Sequence, residues 1–345
     1  MIESADSRPL VSVVIPTYRR AAKLDRLLGS LAEMPYPNLE ILVVDNAASE
    51  DTAAVAARHR GVRYVALERN VFSAGARAAG ERLCHGEYVL FIDDDNVASR
   101  ELVPALVAAM EHDRSIGVAG PLMYLFDGHG KVYCAGGFVT HFGMVRYAVE
   151  VPKGSGVITG TFPPTFDVDF LPNCFLVRRS VFRCGIGFDP EVFPHNWSEP
   201  DFCFRVRAAG LRVVVVPAAS ESHDIGYTGM LTRSHNASVI YDQARSRIAF
   251  RKRHINGWRA WLSFGSLVFP LSSIVFLRAI LRSDETVPSL KAYVAGTVDG
   301  LRQEVSPLPK EWTPELGVRE WCYRPDSRLP GASSSSGAQS PTERT

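Results

Sequence analysis

The sequence predicts an α/β protein with a mainly parallel central sheet and helices on both faces. Short runs rich in Val, Ile and Leu alternate with longer segments in which apolar residues recur at helical spacing. Glycine, proline or polar residues bound the short runs, as is typical of strands buried on both faces of a parallel sheet. Because ligands of such sheets bind beyond the carboxyl ends of the strands, we expect the functional site at that edge.

Three strand–helix units occupy the first 84 residues. The first strand, LVSVVIPT, is stopped by Pro16, and the second, LEILVVD, ends in Asp45. Together with Asn70, these residues fall at the carboxyl edge of the predicted sheet. The predicted strands cover residues 10–17, 39–45 and 62–67, and the predicted helices cover residues 19–34, 52–59 and 74–84.

The fourth strand, within YVLFIDDDN at residues 88–96, passes from an apolar run directly into three carboxylates. Side chains alternate along a strand, which predicts that Asp93 and Asp95 point to one side and Asp94 to the other. Two carboxylates on the same side can bind a hard divalent cation, which neutralises phosphate charge. The alternative is a solvated acidic loop that caps the next helix.

The composition excludes several classes of protein. The 345 residues are 46% hydrophobic, so the chain can bury a large core and is not a disordered protein. A formal net charge of +1 gives no global basic surface for nucleic acid. Six scattered cysteines without a CxxC pair predict reduced thiols and no zinc site. The N-terminal residues lack a basic region followed by an apolar stretch, so we expect cytosolic synthesis without a secretory signal.

The second half of the chain has a less regular pattern. Residues 127–164 are rich in glycine and aromatic residues without clear periodicity, which is typical of a loop-rich insert that carries specificity. His223 follows the last predicted strand by six residues. The predicted helix here covers residues 101–112, and the predicted strands cover residues 116–124, 168–177 and 211–217.

The chain changes character after Tyr241. A basic stretch leads into residues 260–277, which carry no charge and are followed by Arg278 and Arg282. These features favour an amphipathic or re-entrant element at a membrane surface, with arginines facing anionic headgroups. The alternative is a helical hairpin packed on the α/β domain. Residues 331–345, with a run of four serines, are predicted to be disordered.

Four successive motifs resemble those of the family 2 glycosyltransferases: SVVIPTYRR, VVDNAASEDT, NVFSAGARAAG and FIDDDN. The resemblance runs from about Val11 to about Gly226. It implies an inverting, nucleotide-sugar-dependent enzyme of the GT-A fold, with a Rossmann-like central sheet. It also implies a catalytic domain at 1–240, with a nucleotide-binding half at about 10–125 and an acceptor half at 126–240. Residues 241–305 then form the membrane-associated helical segment, and residues 306–345 form a C-terminal extension.

The resemblance also implies roles for individual residues. A DxD pair and a histidine would hold Mn²⁺ or Mg²⁺ against the donor diphosphate, and these are Asp93, Asp95 and His223. The residues implied in nucleotide-sugar binding are Pro16, Thr17, Tyr18, Arg19, Asp45, Asn70, Gly75, Arg77, Asp93 and Asp94. Helix capping is the alternative role for Asp45, and a position on a helix surface is the alternative for Arg77. The chain departs from the family pattern at Ala48, Glu50, Phe72 and Ala78.

Residues 197–205, WSEPDFCFR, resemble the run that opens the family's catalytic helix. By position Glu199 matches the catalytic base, which must lie within hydrogen-bond reach of the attacking hydroxyl. Asp201 is the second acid, expected to organise the helix start or the acceptor, and Trp197 and Asn173 are expected on the acceptor side. The alternative is that these acids only complement the helix dipole.

The family resemblance implies a UDP- or dTDP-type donor, a glycan or polyprenyl-linked acceptor, and no nucleic-acid partner. We expect a cytoplasmic protein, peripheral or monotopic on the membrane. One rival is a sugar-phosphate nucleotidyltransferase, whose N-terminal Gly-rich loop has no counterpart in SVVIPTYRR. The other is a non-catalytic membrane-bound scaffold with the same fold, against which the joint presence of the acids and the histidine argues.

Overall fold

The computed structural model describes residues 8–126, 132–140, 145–147, 162–224, 237–255 and 285–303, with scattered residues between 261 and 281. The strands are β1 Val11–Thr17, β2 Leu39–Asp45, β3 Val62–Ala66, β4 Tyr88–Ile92, β5 Asn96–Ala98, β6 Ile116–Leu125, β7 Val132–Cys134, β8 Gly137–Val139, β9 Val145–Tyr147, β10 Phe166–Asp167, β11 Cys174–Arg178 and β12 Arg212–His223. The helices are α1 Ala21–Ala32, α2 Glu50–Arg58, α3 Phe72–Leu83, α4 Leu102–His112, α5 Arg179–Arg183, α6 Ser198–Ala208, α7 Ala237–His254 and α8 Thr286–Arg302.

The central sheet is mixed, in the order β10-β12-β6-β11-β4-β1-β2-β3. Strands β3, β2, β1 and β4 are parallel, as predicted, and so are β6 and β12. The prediction of a mainly parallel sheet is wrong for β11, which lies antiparallel between β4 and β6. A parallel strand needs a crossover that returns the chain to the opposite edge. Because β11 runs antiparallel to β6, it starts at the edge where β6 ends.

Two apolar layers cover the sheet. Helices α1 and α4 pack their leucines on one face, and α3 and α6 pack on the other. The predicted helical spacing of leucines in α1 is confirmed, because all four of those leucines are buried: Leu24, Leu27, Leu28 and Leu31. A local signal also marks the start of α2, since Ser49 caps this helix and two acids occupy its first turn.

The parallel register aligns the carboxyl ends of the first strands. Thr17 pairs with Asp45, which in turn pairs with Ala66 on β3. The β1–β4 ladder ends with Val14 opposite Phe91, so the last residues of β1 extend beyond it. The loops after β1, β2 and β4 therefore meet at one edge, as predicted.

Two strand predictions in the second half are corrected by the structure. The single strand predicted at 168–177 begins only at Cys174, as β11; the two-residue β10 precedes it at Phe166–Asp167, with Pro172 and Asn173 in the break. Asn173 has a φ of +57°, which ends a regular strand. The strand predicted at 211–217 runs on to His223, because its second part pairs with β5 and β6 past an irregularity in register.

The C-terminal part stacks two helices on the α/β domain. Helix α7 contacts α6, and α8 packs along α7. None of the helices in the described part of the chain is both long and apolar enough to cross a bilayer. Most of the predicted membrane element at 260–277, and all of the extension from 306 with its serine-rich tail, lie outside the described residues.

Candidate active site

The three carboxylates after β4 lie in a turn and not in a continued strand. The strand ends at Ile92, and the backbone N–H of Asn96 donates to the carbonyl oxygen of Asp93 at 3.2 Å. The predicted alternation is therefore wrong: one Arg20 nitrogen contacts both Asp94 (3.1 Å) and Asp95 (2.9 Å). The turn breaks the period of two on which that prediction depended.

Asp94 is buried and faces the end of β1. The Thr17 hydroxyl donates to its Oδ2 at 2.7 Å. Burial raises the pKa of Asp94 to about 6, against the opposing effects of Arg20 and Thr17. The alternative of a solvated acidic loop is wrong, because Asp94 and Asp95 are both buried.

His223 lies beside Asp95, with its Nε2 3.3 Å from Oδ1 of the carboxylate. Burial by itself raises the pKa of Asp95, but the hydrogen bond and charge of His223 outweigh it and lower the pKa. The Asn173 amide nitrogen is 3.3 Å from Nδ1 of the same ring. The extended β12 is what brings His223 here, in register with Asn96.

Arg77 lies between the acidic turn and the helix that carries the predicted base. One of its nitrogens donates to Asp93 Oδ1 at 2.7 Å, and another donates to Glu199 Oε1. The guanidinium is fully buried and lies over the rings of Phe175 and Phe188, 5.7 Å from each ring centre. A helix-surface position for Arg77 is therefore wrong: it is an internal bridge between two acids.

The same bridge sets opposite pKa shifts for its two acids. Burial raises the pKa of Asp93, and Arg77 only partly offsets that effect. Burial also works against ionisation of Glu199, but the charge and hydrogen bond of Arg77 together with the Ser198 hydroxyl hold its pKa below the usual range. The lowered pKa keeps Glu199 ionised. Because 15% of its side chain is exposed, it can still be reached from the cleft.

Asp201, by contrast, is enclosed by cations. Its carboxylate accepts from Arg205 (2.9 Å), Arg253 (3.0 Å) and His254 (2.7 Å), and only 1% of its side chain is exposed. Burial opposes ionisation, but these partners hold the pKa of Asp201 far below its usual value. Since Arg253 and His254 belong to α7, the structure places Asp201 as a tie between α6 and α7, without an exposed oxygen for an acceptor.

Asp45 is fully buried at the end of β2. It accepts from the backbone N–H groups of Ala47 (2.8 Å) and Ser49 (2.9 Å) and from the Tyr64 hydroxyl (2.9 Å). Helix capping by Asp45 is wrong, because Ser49 caps α2. Asp45 shapes the β2–α2 loop, and the neighbouring exposed aromatic is Tyr18, under the guanidinium of Arg19 at 5.2 Å.

The loop before α3 is ordered by small contacts. Asn70 Oδ1 accepts from the N–H of Phe72 at 2.9 Å. Gly75 lies so close to Val71 that a Cβ would sit 2.7 Å from that side chain. Pro16 is buried in β1 beyond the β4 ladder, where its missing N–H breaks no bond to that strand. These residues shape the cleft wall through the backbone.

Among the residues that the structure describes, five other than glycine have left-handed backbone angles, and all belong to segments around this cleft. They are Arg19, Ala48, Phe72, Asn173 and Trp197. Such conformations cost free energy and cluster at functional sites. Trp197 is the N-cap of α6, with a φ of +66°, and its ring packs on Phe250 at 4.7 Å.

Sequence reasoning missed two residues of the site. Arg20, the second arginine of SVVIPTYRR, contacts the acids, whereas Arg19 points along Tyr18. Glu221 is buried two residues before His223, and neither of its carboxylate oxygens has a hydrogen-bond partner among the described residues. Burial and the nearby acids raise its pKa well above the usual range. Because side chains two positions apart on a strand point to the same side, the position of His223 on β12 could have identified Glu221.

The predicted metal ligands are only partly assembled. Asp95 and His223 are adjacent and offer one oxygen and one nitrogen, a donor set suited to Mn²⁺ or Mg²⁺ when diphosphate oxygens complete the shell. Asp93 is turned toward Arg77. Across the described ranges, no three acidic, histidine or cysteine side chains form a ready-made cation site.

Comparison with known proteins gives consistent results. Residues 12–185, just over half of the chain, match the profile of glycosyl transferase family 2. The validoxylamine A glucosyltransferase of Streptomyces hygroscopicus subsp. jinggangensis is 36% identical over 250 residues, covering 67% of this chain and 58% of that protein. The pre-mycofactocin glycosyltransferase of Mycobacterium tuberculosis is 27% identical over 225 residues, covering 64% and 44%. The chain thus spans less than two thirds of each relative.

The fold is shared with solved structures, among them GalNAc-T7 and TarS. GalNAc-T7, crystallised with UDP, GalNAc and Mn²⁺, has a TM-score of 0.54 at 16% identity, covering 78% of this chain and 58% of that one. TarS of S. aureus has a TM-score of 0.52 at 18% identity, covering 85% and 54%. At this level of identity the likeness concerns the arrangement of strands and helices.

Proposed function

The chain belongs to glycosyltransferase family 2 and is a glycosyltransferase with a GT-A-type fold, and from that premise we propose that it is an inverting enzyme. It moves a sugar from a nucleoside diphosphate sugar to a hydroxyl group. Glu199 takes the hydroxyl proton, the new oxygen–carbon bond forms at the anomeric carbon, and the bond to the diphosphate breaks on the opposite face. A single carboxylate base is sufficient for this chemistry.

The Arg77 bridge is the observation that carries this proposal. It holds the acidic turn and Glu199 on two nitrogens of one buried guanidinium, so the donor-phosphate side and the base side of the cleft are fixed relative to each other. It also keeps Glu199 ionised despite its burial, as a general base requires. A scaffold without catalytic function has no need of an ionised, partly exposed carboxylate at this position.

The leaving diphosphate needs positive charge at the acidic turn. Asp95 and His223 would hold a divalent cation there, next to Asp93, the third predicted ligand, which is paired with Arg77. When bound, the cation neutralises the charge that develops on the leaving group. Arg20 and Lys23 lie on the same side of the cleft, since Lys23 contacts the backbone oxygen of Asp224, and they supply further positive charge.

The donor end of the cleft includes Thr17, Tyr18 and Arg19, and its exposed aromatic ring suits a flat nucleobase. A UDP- or dTDP-type donor is our proposal, in keeping with the UDP in the GalNAc-T7 structure. Trp197 and Asn173 would line the acceptor side. The acceptor is a glycan or a polyprenyl-linked sugar, reached at the cytoplasmic face of a membrane that the segment within 241–305 contacts.

The base assignment is tested with Glu199→Gln. This change keeps the size of the side chain but removes the proton acceptor, so transfer should fall by at least about 10²-fold while nucleotide affinity stays nearly unchanged. Glu191→Gln, an exposed acid in the neighbouring loop, is the matched control and should transfer at the wild-type rate. A Glu199→Gln protein with normal turnover would rule out Glu199 as the base.

The donor and metal assignments are tested by thermal unfolding with UDP, dTDP or GDP, each with and without Mn²⁺. A nucleotide at 100 times its Kd stabilises the native state by about 2.7 kcal/mol. We expect one nucleotide to do this only with Mn²⁺, and Asp95→Ala to lose the effect. If none of the nucleotides shifts the melting temperature, the non-catalytic scaffold becomes the better interpretation.

A further inference from the structure

Helix α8 has two faces of opposite character. Ser289, Gly296 and Gly300 are buried on one side. On the other side, Val287, Leu290, Val294 and Leu301 are each between 46% and 63% exposed. At 100° per residue these four positions fall within an arc of about 60°, and the small residues lie on the opposite side.

The small-residue face fixes α8 on α7 at backbone distance. A Cβ at Gly300 would lie 2.8 Å from the carbonyl oxygen of Arg245, and one at Gly296 would overlap the carbonyl of Tyr241. The Tyr241 hydroxyl also donates to Asp299 at 2.8 Å. With the small-residue face occupied by α7, the apolar side chains stay about half exposed, and rotation of α8 to bury them would break these contacts.

The charges on the exposed side of α8 are positive. Lys291 and Arg302 are exposed and lie together along one side of the apolar arc, and no ion pair involving either is present among the described residues. Asp299, the acid of this helix, is held on the α7 side by Tyr241. An apolar stripe beside basic side chains complements a surface with an apolar interior and anionic headgroups.

We propose that the apolar arc of α8 and its flanking Lys291 and Arg302 bind the surface of an anionic lipid bilayer. The helix lies in the interface, with the valine and leucine side chains below the headgroups and the two cations among the phosphates. This assignment rests on the membrane contact in the proposed function and moves that contact to a defined helix, Thr286–Arg302.

The proposed surface is mechanically linked to the catalytic helix. Helix α8 is fixed on α7, whose Arg253 and His254 bind Asp201 on α6. Glu199 lies two residues before Asp201 in the first turn of the same helix. A bilayer bound by α8 therefore has a set position relative to the base, which suits an acceptor whose lipid end stays in the membrane.

The test is flotation of the full chain, without substrates, with phosphatidylcholine vesicles that do or do not contain phosphatidylglycerol. We expect binding to the anionic vesicles that weakens with salt. Lys291→Gln with Arg302→Gln should reduce the partition by about fivefold for each charge removed. Leu290→Gln with Val294→Gln should reduce it on the order of tenfold or more.

Leu83→Gln is the matched control, since Leu83 is an exposed apolar residue at the end of α3, and it should float like the wild type. Each variant is checked for an unchanged melting temperature. Absence of wild-type flotation overturns the proposal, and so does undiminished flotation of both α8 variants. A wild-type dimer that the Leu290→Gln/Val294→Gln protein loses, without vesicle binding, overturns it in favour of a second copy as the occupant. Because no substrate is present, failure here is distinct from failure of transfer.

Discussion

Replacing Arg77 with Met should destabilise the protein by an amount that depends on pH. The change removes a guanidinium that is fully buried and paired with Asp93 and Glu199, while keeping a flexible side chain over the same aromatic rings. Breaking a buried ion pair by removing one partner costs about 3–5 kcal/mol, because the other charge stays buried. For a chain of this size we expect a loss in melting temperature on the order of 5–10 °C.

The sign of the pH dependence follows from the pKa of Glu199. In the wild type that pKa is lowered, so the stability due to the pair is present above the unfolded pKa of Glu199 and is lost as pH falls through the lowered value. In the variant, burial acts without a cation, so the pKa of Glu199 rises above its unfolded value and folding takes up a proton. The difference in the free energy of unfolding between wild type and Arg77→Met should therefore become smaller from pH 8 to pH 5.

The assay is urea unfolding of both proteins at several pH values between 5 and 8. Arg114→Met is the control, because Arg114 forms an exposed pair with Glu111 and should change stability by less than about 1 kcal/mol at any pH. The bridge as described would be refuted if the free energy of unfolding of Arg77→Met were within about 1 kcal/mol of wild type at pH 8. It would also be refuted if the difference in unfolding free energy grew toward pH 5.

Three further predictions concern packing, the helix tie and the metal pair. Gly29 is in α1, and an added Cβ there would have no atom within 4 Å, so Gly29→Ala should raise the free energy of unfolding by about 0.5–1 kcal/mol. At Gly80 an added Cβ would overlap Val14, so Gly80→Ala should lower it by about 1–3 kcal/mol. Thermal unfolding measures both changes. Asp201→Ala leaves buried cations without their acid, and the free energy of unfolding in urea should fall by about 3–5 kcal/mol. A smaller loss of unfolding free energy than for replacement of an exposed acid would contradict the tie between α6 and α7. His223→Ala should remove the Mn²⁺-dependent part of nucleotide stabilisation in a thermal-shift assay, and an intact Mn²⁺ effect would exclude it as a ligand.

The first half of the fold could be predicted because local pattern and tertiary structure agree there. Each strand of the parallel part is a short apolar run, and each helix carries a clear apolar stripe, as α1 shows. The direction of β11 could not be predicted, because it depends on the path of the insert before it and not on its own residues. The extension of β12 to His223 depends on pairing with β5, which is likewise non-local.

The site residues show the same division. The family resemblance predicted the acids and Arg77 as site residues, but not that Arg77 joins Asp93 to Glu199, because these two acids lie in segments more than a hundred residues apart. Asp201 and Glu199 look alike in sequence, as acids two positions apart at a helix start. Burial and the cations of α7 distinguish them, and both depend on a helix that begins at Ala237.

The five left-handed residues around the cleft have a consequence for protein engineering. Glycine adopts that conformation without the steric cost of about 1–2 kcal/mol that other residues incur. Replacing Ala48 or Phe72 with glycine should therefore raise the melting temperature. Both positions are in the segments that shape the cleft, and a glycine there would make the backbone of those segments more flexible. Thermal tolerance and turnover should therefore trade against each other at this edge, whereas a gain at Gly29 on the far helix should leave turnover unchanged.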